Sequence, residues 1–269
     1  MPIHPTAIVD KHAEIDPAAD IGAYAIVEAG VKIGAGTKIY PHAYISQGTT
    51  LGQRCQIHPF AVVGHHPQDL KWGGAPSYTK IGDETTIREG ASVHRGTMAE
   101  STTVVGKRVY LMSTAHVGHN CVVGDDVILA NATLLSGHVH VGNRAFFSGT
   151  ARIHQFVRVG EMTMIAGVRV ICDVPPFMMV TSDGVVGPNL VGLRRAGLSS
   201  EERLEIRAAY KLLFRSGLLF REAVEQVAET VKTDPGRRLV EFLRAPSKRG
   251  FTRFKSPGRD AEGDLEQVK

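Results

Sequence analysis

Twelve histidines stand in this chain of 269 residues, and five of them recur where a repeating fold would bring them together. When the chain is wrapped at 18 residues per coil and a six-residue insertion is removed after position 102, these five fall within an arc of about five residues on one edge. They are His94, His116, His119, His138 and His154. Such a strip predicts a functional site rather than five separate structural residues.

Two kinds of chemistry use imidazoles in this arrangement. A histidine acts as a general base near neutral pH, because its ordinary pKa lies close to that pH. Three imidazoles at suitable distances can instead hold zinc and activate a bound water. The sequence contains no HExxH motif, no CxxC pair, no serine nucleophile elbow and no glycine-rich phosphate loop. The residues alone leave general-base catalysis and zinc catalysis both open.

The element that must position these histidines is a six-residue repeat. Of the 29 positions from Ile3 to Ile171 taken at every sixth residue, 25 are Ile, Val or Leu. A small residue often stands two positions earlier, as at Ala25 and Cys121, and a glycine often follows, as at Gly118. Neither a helical period nor a strand period produces this pattern. It predicts a parallel β-helix with three short strands per coil, aliphatic side chains inside and glycines at the corners.

Interruptions of the repeat predict how the chain is divided. Two stretches predict external loops, near residues 65–80 and near 96–102, and the β-helix is expected over residues 1–188. Residues 189–247 have helical spacing and predict a cap of three helices, the second of them stopped by Asp234-Pro235-Gly236. Residues 248–269 are rich in Lys, Arg, Gly and Asp and predict a disordered tail. The expected fold class is mainly β, with a C-terminal α-helical cap.

Composition and charge exclude several classes of protein. A hydrophobic content of 43% with a net charge of +4 excludes a disordered chain. We find no secretory signal and no integral membrane segment, and three cysteines fit a reducing, cytoplasmic location. No nucleic-acid partner is expected, since no recognised module or stacking aromatics occur. Residues 189–269 carry a net charge of +5 against −1 for residues 1–188, which suits an acidic partner or simply a solvated helix surface.

Motifs outside the simple repeat resemble those of one family. They are HPQDLKWGGAP at 66–76, SVHRGT at 92–97, TAHVGHNCVVG at 114–124, IHQF at 153–156, DVPPF at 173–177 and AYKLLFRSG in the cap. Over residues 3–250 the chain is similar to the UDP-N-acetylglucosamine O-acyltransferases that open lipid A biosynthesis. The resemblance implies a left-handed β-helix and a homotrimer with active sites between subunits. It also implies transfer of an R-3-hydroxyacyl chain from acyl carrier protein to the 3-hydroxyl of the UDP-sugar.

The resemblance implies roles for individual residues. His119 corresponds to the general base, Asn120 to the residue that orients it, and Gly137 to the backbone donor for the oxyanion. Gly167 corresponds to the position that limits acyl length, and a glycine there implies a long chain. No metal and no cofactor are implied, since the acyl donor is carried on the phosphopantetheine of the carrier. Substrate contacts are implied for Gln68, Asp69, Lys71, His94, His116, His138, His154, Gln155, Asn189 and Arg195.

Three positions depart from the family pattern. Asn120 stands where the family commonly has Asp, and we hypothesise reduced basicity of the base, because an amide stabilises an imidazolium less than a carboxylate does. Val191 and Ala196 stand where the family often has Glu and Arg. Those two changes weaken the implied ribose and phosphate contacts. They make a sugar with a 3-amino group an alternative acceptor.

Three other functions are compatible with a hexapeptide rod. The sibling N-acyltransferase of the same pathway often has Asn after its base, but it carries a uridine-binding domain before the β-helix, and here the repeat starts at Ile3. A γ-type carbonic anhydrase is a zinc enzyme on the same prism, but its paired histidines stand further apart than His116 and His119. A non-catalytic solenoid scaffold would leave the histidine strip and the loops without a role.

Overall fold

The computed structural model describes residues 3–253, which form 27 short strands followed by four helices. Most strands contain two residues, because the chain turns a corner after almost every pair. In chain order the strands are β1 (Ile8–Val9), β2 (Glu14–Ile15), β3 (Asp20–Ile21), β4 (Ile26–Val27), β5 (Lys32–Ile33), β6 (Lys38–Ile39), β7 (Tyr44–Ile45), β8 (Thr49–Leu51), β9 (Gln56–Ile57), β10 (Val62–His65), β11 (Tyr78–Ile81), β12 (Thr86–Ile87), β13 (Ser92–His94), β14 (Thr102–Val105), β15 (Tyr110–Leu111), β16 (His116–Val117), β17 (Val122–Val123), β18 (Ile128–Leu129), β19 (Leu134–Leu135), β20 (His140–Val141), β21 (Phe146–Phe147), β22 (Arg152–Ile153), β23 (Arg158–Val159), β24 (Met164–Ile165), β25 (Arg169–Val170), β26 (Met178–Thr181) and β27 (Gly184–Pro188).

These strands form three sheets, which are the faces of a prism. The first sheet runs from β1 through every third strand to β25, the second from β2 to β23, and the third from β3 through β24 to β26 and β27. Pairing within each sheet is parallel, except for the antiparallel hairpin of β26 and β27. We call the corner between the first and second sheets the first edge, that between the second and third sheets the second edge, and that between the third and first sheets the third edge.

The core is the column of side chains that the six-residue repeat predicted. Leu111, Leu129 and Leu135 are fully buried, and each such side chain contributes roughly 1.5–3 kcal/mol of transfer free energy. Phe147, the one aromatic residue in the aliphatic series, is also fully buried and does not interrupt it. The predicted mainly β fold with C-terminal helices is confirmed.

The repeat shifts register once, at the end of the rod. The periodicity predicted Ile171 as an inward residue, but its side chain is 42% exposed, whereas Val170 is buried and pairs with Ile153. The coil is one residue short because the chain makes a tight turn at Gly167, where the Val168 N–H donates to the carbonyl of Ala166 (2.7 Å). The prediction was wrong there because a periodic pattern does not reveal that one coil lacks a single residue.

Four helices follow the prism: α1 (Leu190–Arg195), α2 (Ser200–Arg215), α3 (Phe220–Thr230) and α4 (Asp234–Arg244). The short helix α1 was not predicted. The second predicted helix, α3, ends at Thr230, before Asp234-Pro235-Gly236 as expected, and these three residues also form the first turn of α4, where a proline costs no hydrogen bond. Thr233 caps that turn by accepting the Gly236 N–H (3.2 Å).

Residues 246–253, which we call the C-terminal strap, return from α4 to the prism. Phe251 forms a parallel bridge with Asp173, the Asp173 N–H donates to Gly250 (2.8 Å), and the Thr252 N–H donates to Asp173 (2.8 Å). The predicted disordered tail was to begin at residue 248, so its first six residues are instead bonded to the β-helix. The rest of that prediction, residues 254–269, lies outside the described residues.

Candidate active site

The first edge carries both loops and most of the candidate residues. The chain leaves the coils at residues 66–77, between β10 and β11, and at residues 95–101, between β13 and β14. Both departures replace a corner between the first and second sheets. The next corners on the same edge contain His119, then Gly137 and His138, then Gln155. The rigid prism therefore holds loop residues and corner residues on one line.

His119 is buried at this edge and held at one ring nitrogen. Its side chain lies beside Asn120, with 3.1 Å between the His119 Nδ1 and the Asn120 Oδ1. Since that oxygen only accepts hydrogen bonds, Nδ1 carries a proton and Nε2 has a free lone pair. The Asp69 carboxylate of the first loop approaches Nε2 at 3.9 Å. This arrangement leaves Nε2 able to take a proton and places a carboxylate near the charge that would form.

Asn120 connects the histidine to the second loop. Its Oδ1 also accepts hydrogen bonds from the Thr97 backbone N–H (3.0 Å) and hydroxyl (2.9 Å). The Asn120 N–H donates to the Thr103 hydroxyl (2.7 Å). The backbone at Asn120 has φ 58°, a left-handed conformation that asparagine tolerates. The second loop, the orienting amide and the histidine ring are thus joined by one oxygen.

Gly137 packs directly beneath the His119 ring. A Cβ atom built on Gly137 would lie 2.3 Å from Cε1 and 2.4 Å from Nε2 of that ring, so only glycine fits. Because its carbonyl accepts the Phe156 N–H (3.2 Å) while its own N–H bonds to no other described residue, a backbone donor stays available beside Nε2. A developing negative charge next to the base would meet this donor.

The remaining histidines of the strip form two contacting pairs. His138 meets His119 edge to face (centroids 5.2 Å apart) and stacks on Phe156 (4.8 Å). His94 meets His116 edge to face at 4.9 Å, and the Ser92 hydroxyl lies 2.8 Å from the His116 Nδ1. Burial, aided by the neighbouring histidines, lowers the pKa of His94 to about 4. Burial also lowers the pKa values of His116 and His138, so these rings are neutral at pH 7.

The first loop presents polar groups beside the strip. Asp69 is half-buried and accepts the Lys71 N–H (2.9 Å), while Gln68 and Lys71 are exposed. The Trp72 N–H donates to the Asp69 carbonyl (3.0 Å), and the Trp72 ring lies 4.4 Å from that of His66. The loop is thus folded on itself with Asp69 turned towards His119.

Three residues predicted to contact the substrate lie apart from His119. His154 is bonded to the C-terminal strap, where Arg249 Nη2 lies 2.8 Å from its Nδ1. Asn189 caps α1, accepting from Gly192 (3.1 Å) and donating to the Met162 carbonyl (2.9 Å), so both polar atoms of its side chain are used. Arg195 is exposed at the end of α1.

Gly167 stands on the third edge, so within one chain it does not share an edge with His119. A Cβ there would lie 2.6 Å from the Gly149 carbonyl oxygen, which gives this glycine a structural reason of its own.

The sequence analysis missed four residues next to the strip. Thr97 bonds to Asn120, Phe156 stacks on His138, and Lys248 and Arg249 reach the strip from the strap. Phe156 lies within the IHQF motif and Thr97 within the SVHRGT motif, so both could have been found there. Lys248 and Arg249 become neighbours of the strip only through the strap, which the repeat does not predict.

Metal ligands and membrane spans were also sought in residues 3–253. No three His, Cys, Asp or Glu side chains in that range cluster as metal ligands would. Within the same range no helix combines the length and the apolar character needed to cross a bilayer.

Comparison with known proteins gives consistent matches. Residues 173–252 match the family described as UDP-N-acetylglucosamine O-acyltransferase, domain 2, and residues 30–65 and 102–137 match the bacterial transferase hexapeptide repeat. An acyl-[acyl-carrier-protein]--UDP-N-acetylglucosamine O-acyltransferase of Anaeromyxobacter dehalogenans is 45% identical over 94% of this chain and all of the relative. The enzyme of the same name from Herminiimonas arsenicoxydans is 41% identical over 93% of this chain and 99% of the relative.

Solved structures agree with the fold, and the hexapeptide repeats indicate that the β-helix is left-handed. The UDP-N-acetylglucosamine acyltransferase of Francisella novicida has a TM-score of 0.91 at 36% identity, covering 95% of each chain. LpxA from Acinetobacter baumannii has a TM-score of 0.88 at 37% identity, covering 93% of this chain and 98% of that one. The chain therefore belongs to the family of acyl-[acyl-carrier-protein]--UDP-N-acetylglucosamine O-acyltransferases.

Proposed function

We propose that this protein transfers an R-3-hydroxyacyl chain from acyl carrier protein to the 3-hydroxyl of UDP-N-acetylglucosamine, with His119 as general base. The observation that carries the mechanism is the pairing of a free Nε2 on His119 with the unused N–H of Gly137. The substrates follow from family membership. The same reaction is the first step of lipid A biosynthesis, and a cytoplasmic location is part of the proposal.

The chemical step needs no metal and no acyl-enzyme. Nε2 of His119 takes the proton of the sugar hydroxyl as its oxygen attacks the thioester carbonyl carbon. The carbonyl oxygen becomes an oxyanion and accepts the Gly137 N–H, while Asn120 and Asp69 lie close enough to stabilise the imidazolium. Collapse of the tetrahedral intermediate expels the phosphopantetheine thiolate, which takes the proton back from His119.

We further propose that the active site is completed by a neighbouring copy in a homotrimer. Gly167 is on the third edge, whereas His119 is on the first, so an acyl chain starting at His119 meets Gly167 only if another copy brings its third edge alongside. Outward side chains of the third sheet include Ile128, Phe146 and Met164, each partly buried even in one chain. A stable monomer in sedimentation at micromolar concentration would contradict this assembly.

His119→Ala tests the mechanism most directly. We expect transfer to fall by about 10²–10⁴, the usual contribution of a general base. The matched control is His140→Ala, since His140 is an exposed histidine on the outer face of the second sheet. The assay uses 3-hydroxyacyl carrier protein and offers UDP-N-acetylglucosamine and its 3-amino analogue separately. If the His119 variant were as active as the wild type, the assignment of His119 as the base would be refuted. Preference for the amino sugar would show that the 3-amino analogue is the acceptor.

A panel of acyl chain lengths tests the assignment of Gly167. We propose that the small residue leaves room for a long chain. Preference for short chains would show that Gly167 is required only by the tight turn of the coil.

A further inference from the structure

The C-terminal strap brings two cations to the histidine strip. The Lys248 ammonium lies 4.7 Å from the centre of the Phe156 ring, on which His138 stacks. Burial is the main cause that lowers the pKa of His138, and the charges of His119 and Lys248 act in the same direction. Lys248 is exposed, and none of the described carboxylates forms an ion pair with it. Its charge is therefore available to an anionic ligand.

Arg249 is directed at the neighbouring histidine. Its guanidinium donates from Nη2 to the His154 Nδ1 (2.8 Å) and from Nε to the Ile171 carbonyl (3.2 Å). The His154 Nδ1 also lies 3.2 Å from the Gln155 carbonyl oxygen, and the Arg249 Nη2 lies 3.4 Å from the Nε2 of the same ring. Arg249 thereby fixes the orientation of the His154 ring.

The strap is fastened firmly enough to hold these side chains in place. Asp173 is fully buried and bonds to Arg158 through both the backbone N–H (2.8 Å) and the guanidinium (2.7 Å). The Arg158 guanidinium in turn lies over the rings of Phe242 (4.5 Å) and Phe251 (5.9 Å). With the bridge from Asp173 to Phe251, one buried ion pair joins the last coil, α4 and the strap.

We propose that the strap forms part of the active site, with Lys248 binding a phosphate of the nucleotide sugar and Arg249 positioning His154 for the same group. This inference rests on the proposed function. The ligand class follows from chemistry, since a lysine without an ion-pair partner, on the same strap as a guanidinium that contacts an imidazole, suits a phosphate oxygen. The UDP-sugar is favoured because its diphosphate is one sugar ring away from the reacting hydroxyl. The phosphate of phosphopantetheine stands at the far end of the extended arm from the thioester.

Lys248→Gln is the main test, with Arg253→Gln as its control. Arg253 is an exposed cation on the same strap, and its carbonyl accepts the Val185 N–H (3.2 Å). The control substitution therefore also removes one positive charge, but at a position away from the histidine strip. Loss of one charged contact to phosphate should raise the KM for UDP-N-acetylglucosamine by about tenfold. The KM for acyl carrier protein should stay unchanged, as should both KM values of the control.

Arg249→Lys and Arg249→Gln test the positioning role. We expect both variants to raise the KM for the nucleotide sugar more than they lower kcat, because lysine cannot make both guanidinium contacts. Thermal melting shows whether each variant is folded. If Arg249 proves essential for folding, Lys248→Gln still tests the inference, because that substitution removes no hydrogen bond between described residues.

Calorimetric binding of UDP-N-acetylglucosamine separates this inference from the proposed function. It needs no turnover, so a wild type that binds the nucleotide sugar but transfers nothing refutes the proposed function alone. An active wild type whose Lys248→Gln variant binds and reacts normally refutes the inference alone. An effect confined to the KM for acyl carrier protein would also overturn it, since the strap would then bind the carrier's phosphate.

Discussion

The first and second edges of the prism have the same corner backbone but opposite chemistry. On the second edge three corners show the same bond, in which a side chain from the next coil accepts the corner N–H. Asp83 accepts from Gln53 (3.0 Å), Asp125 from Lys107 (2.8 Å) and Asn143 from Asp125 (2.9 Å). On the first edge the corresponding N–H at Gly137 has no acceptor among the described residues.

Under the proposed mechanism, this difference is what turns a structural repeat into a catalytic one. The second edge also pairs its charges, with Arg108 bonded to Asp126 through two nitrogens (2.7 and 2.8 Å). The first edge instead packs histidine rings against one another and leaves a glycine beneath His119. A corner that satisfies its donors is stable and inert, whereas a corner that leaves one free can stabilise a passing negative charge.

Among the variants that compare the two edges, Gly137→Ala should have the largest effect on activity. A Cβ within 2.4 Å of the His119 Nε2 forces the ring aside and moves the backbone donor from the oxyanion. We expect kcat to fall by about 10²–10³, the usual cost of losing one oxyanion-hole donor. Steady-state kinetics measures this directly.

Asp125→Ala is the matched control on the second edge. It removes the acceptor of the Lys107 N–H, so the free energy of unfolding should fall by about 1 kcal/mol while kcat is unchanged. If Asp125→Ala reduced kcat as much as Gly137→Ala did, the difference between the edges would have no catalytic meaning.

The core could be predicted from the sequence because the same requirement is repeated in every coil. Each coil places an aliphatic side chain at an equivalent position, so Ile57 and Leu135 are predicted by all their counterparts together. Gly167 shows the limit of this redundancy, since one omitted residue turned Val170 inward and Ile171 outward. A change that occurs in one coil only is not repeated in the other coils, so the pattern does not predict it.

The site could be predicted only where its residues lie within the repeat or in a family motif. His119, Asn120 and Gly137 lie in corners and come together as expected. Arg249 reaches His154 across 95 residues of sequence, on a strap whose composition resembles that of a disordered tail. Contacts of that kind depend on how one segment docks, which neither spacing nor composition encodes.

Acid should destabilise the two edges in separate pH ranges. The pKa of His94 is lowered to about 4 mainly by burial, against 6.5 for an ordinary histidine, so the unfolded chain binds more protons between these values. Stability is therefore complete above pH 6.5 and falls as the pH drops towards 4, by about 2 kcal/mol at pH 5. On the second edge, a hydrogen bond from the Gln53 backbone lowers the pKa of Asp83, and one from Arg108 lowers that of Asp126. Their stabilisation is lost only below the ordinary carboxyl pKa of 3.8.

His94→Gln should reduce the loss of stability in the first of these pH ranges, to which His116 and His138 also contribute through their lowered pKa values, and should leave the second range unchanged. Urea unfolding at pH 7.5, 5 and 3.5 measures the effect, because it reports the free energy of unfolding at each pH. His42→Gln, an exposed histidine on the third edge, is the control and should keep the wild-type slope. A wild-type slope in the His94 variant would place the acid sensitivity elsewhere.

Asn120→Asp should have the smallest effect, and it tests whether the first edge works through charge or through orientation. Either side chain can accept from the His119 Nδ1 and from Thr97, so the geometry is kept and only a negative charge is added. A carboxylate holds the imidazolium more tightly, which should change kcat by less than about tenfold and move the acidic limb of the pH profile to higher pH. Asn143→Asp adds the same charge on the second edge and should leave the profile unchanged. An unmoved profile in the Asn120 variant would mean that this amide serves only to orient the ring, and the hypothesis of reduced basicity would be wrong.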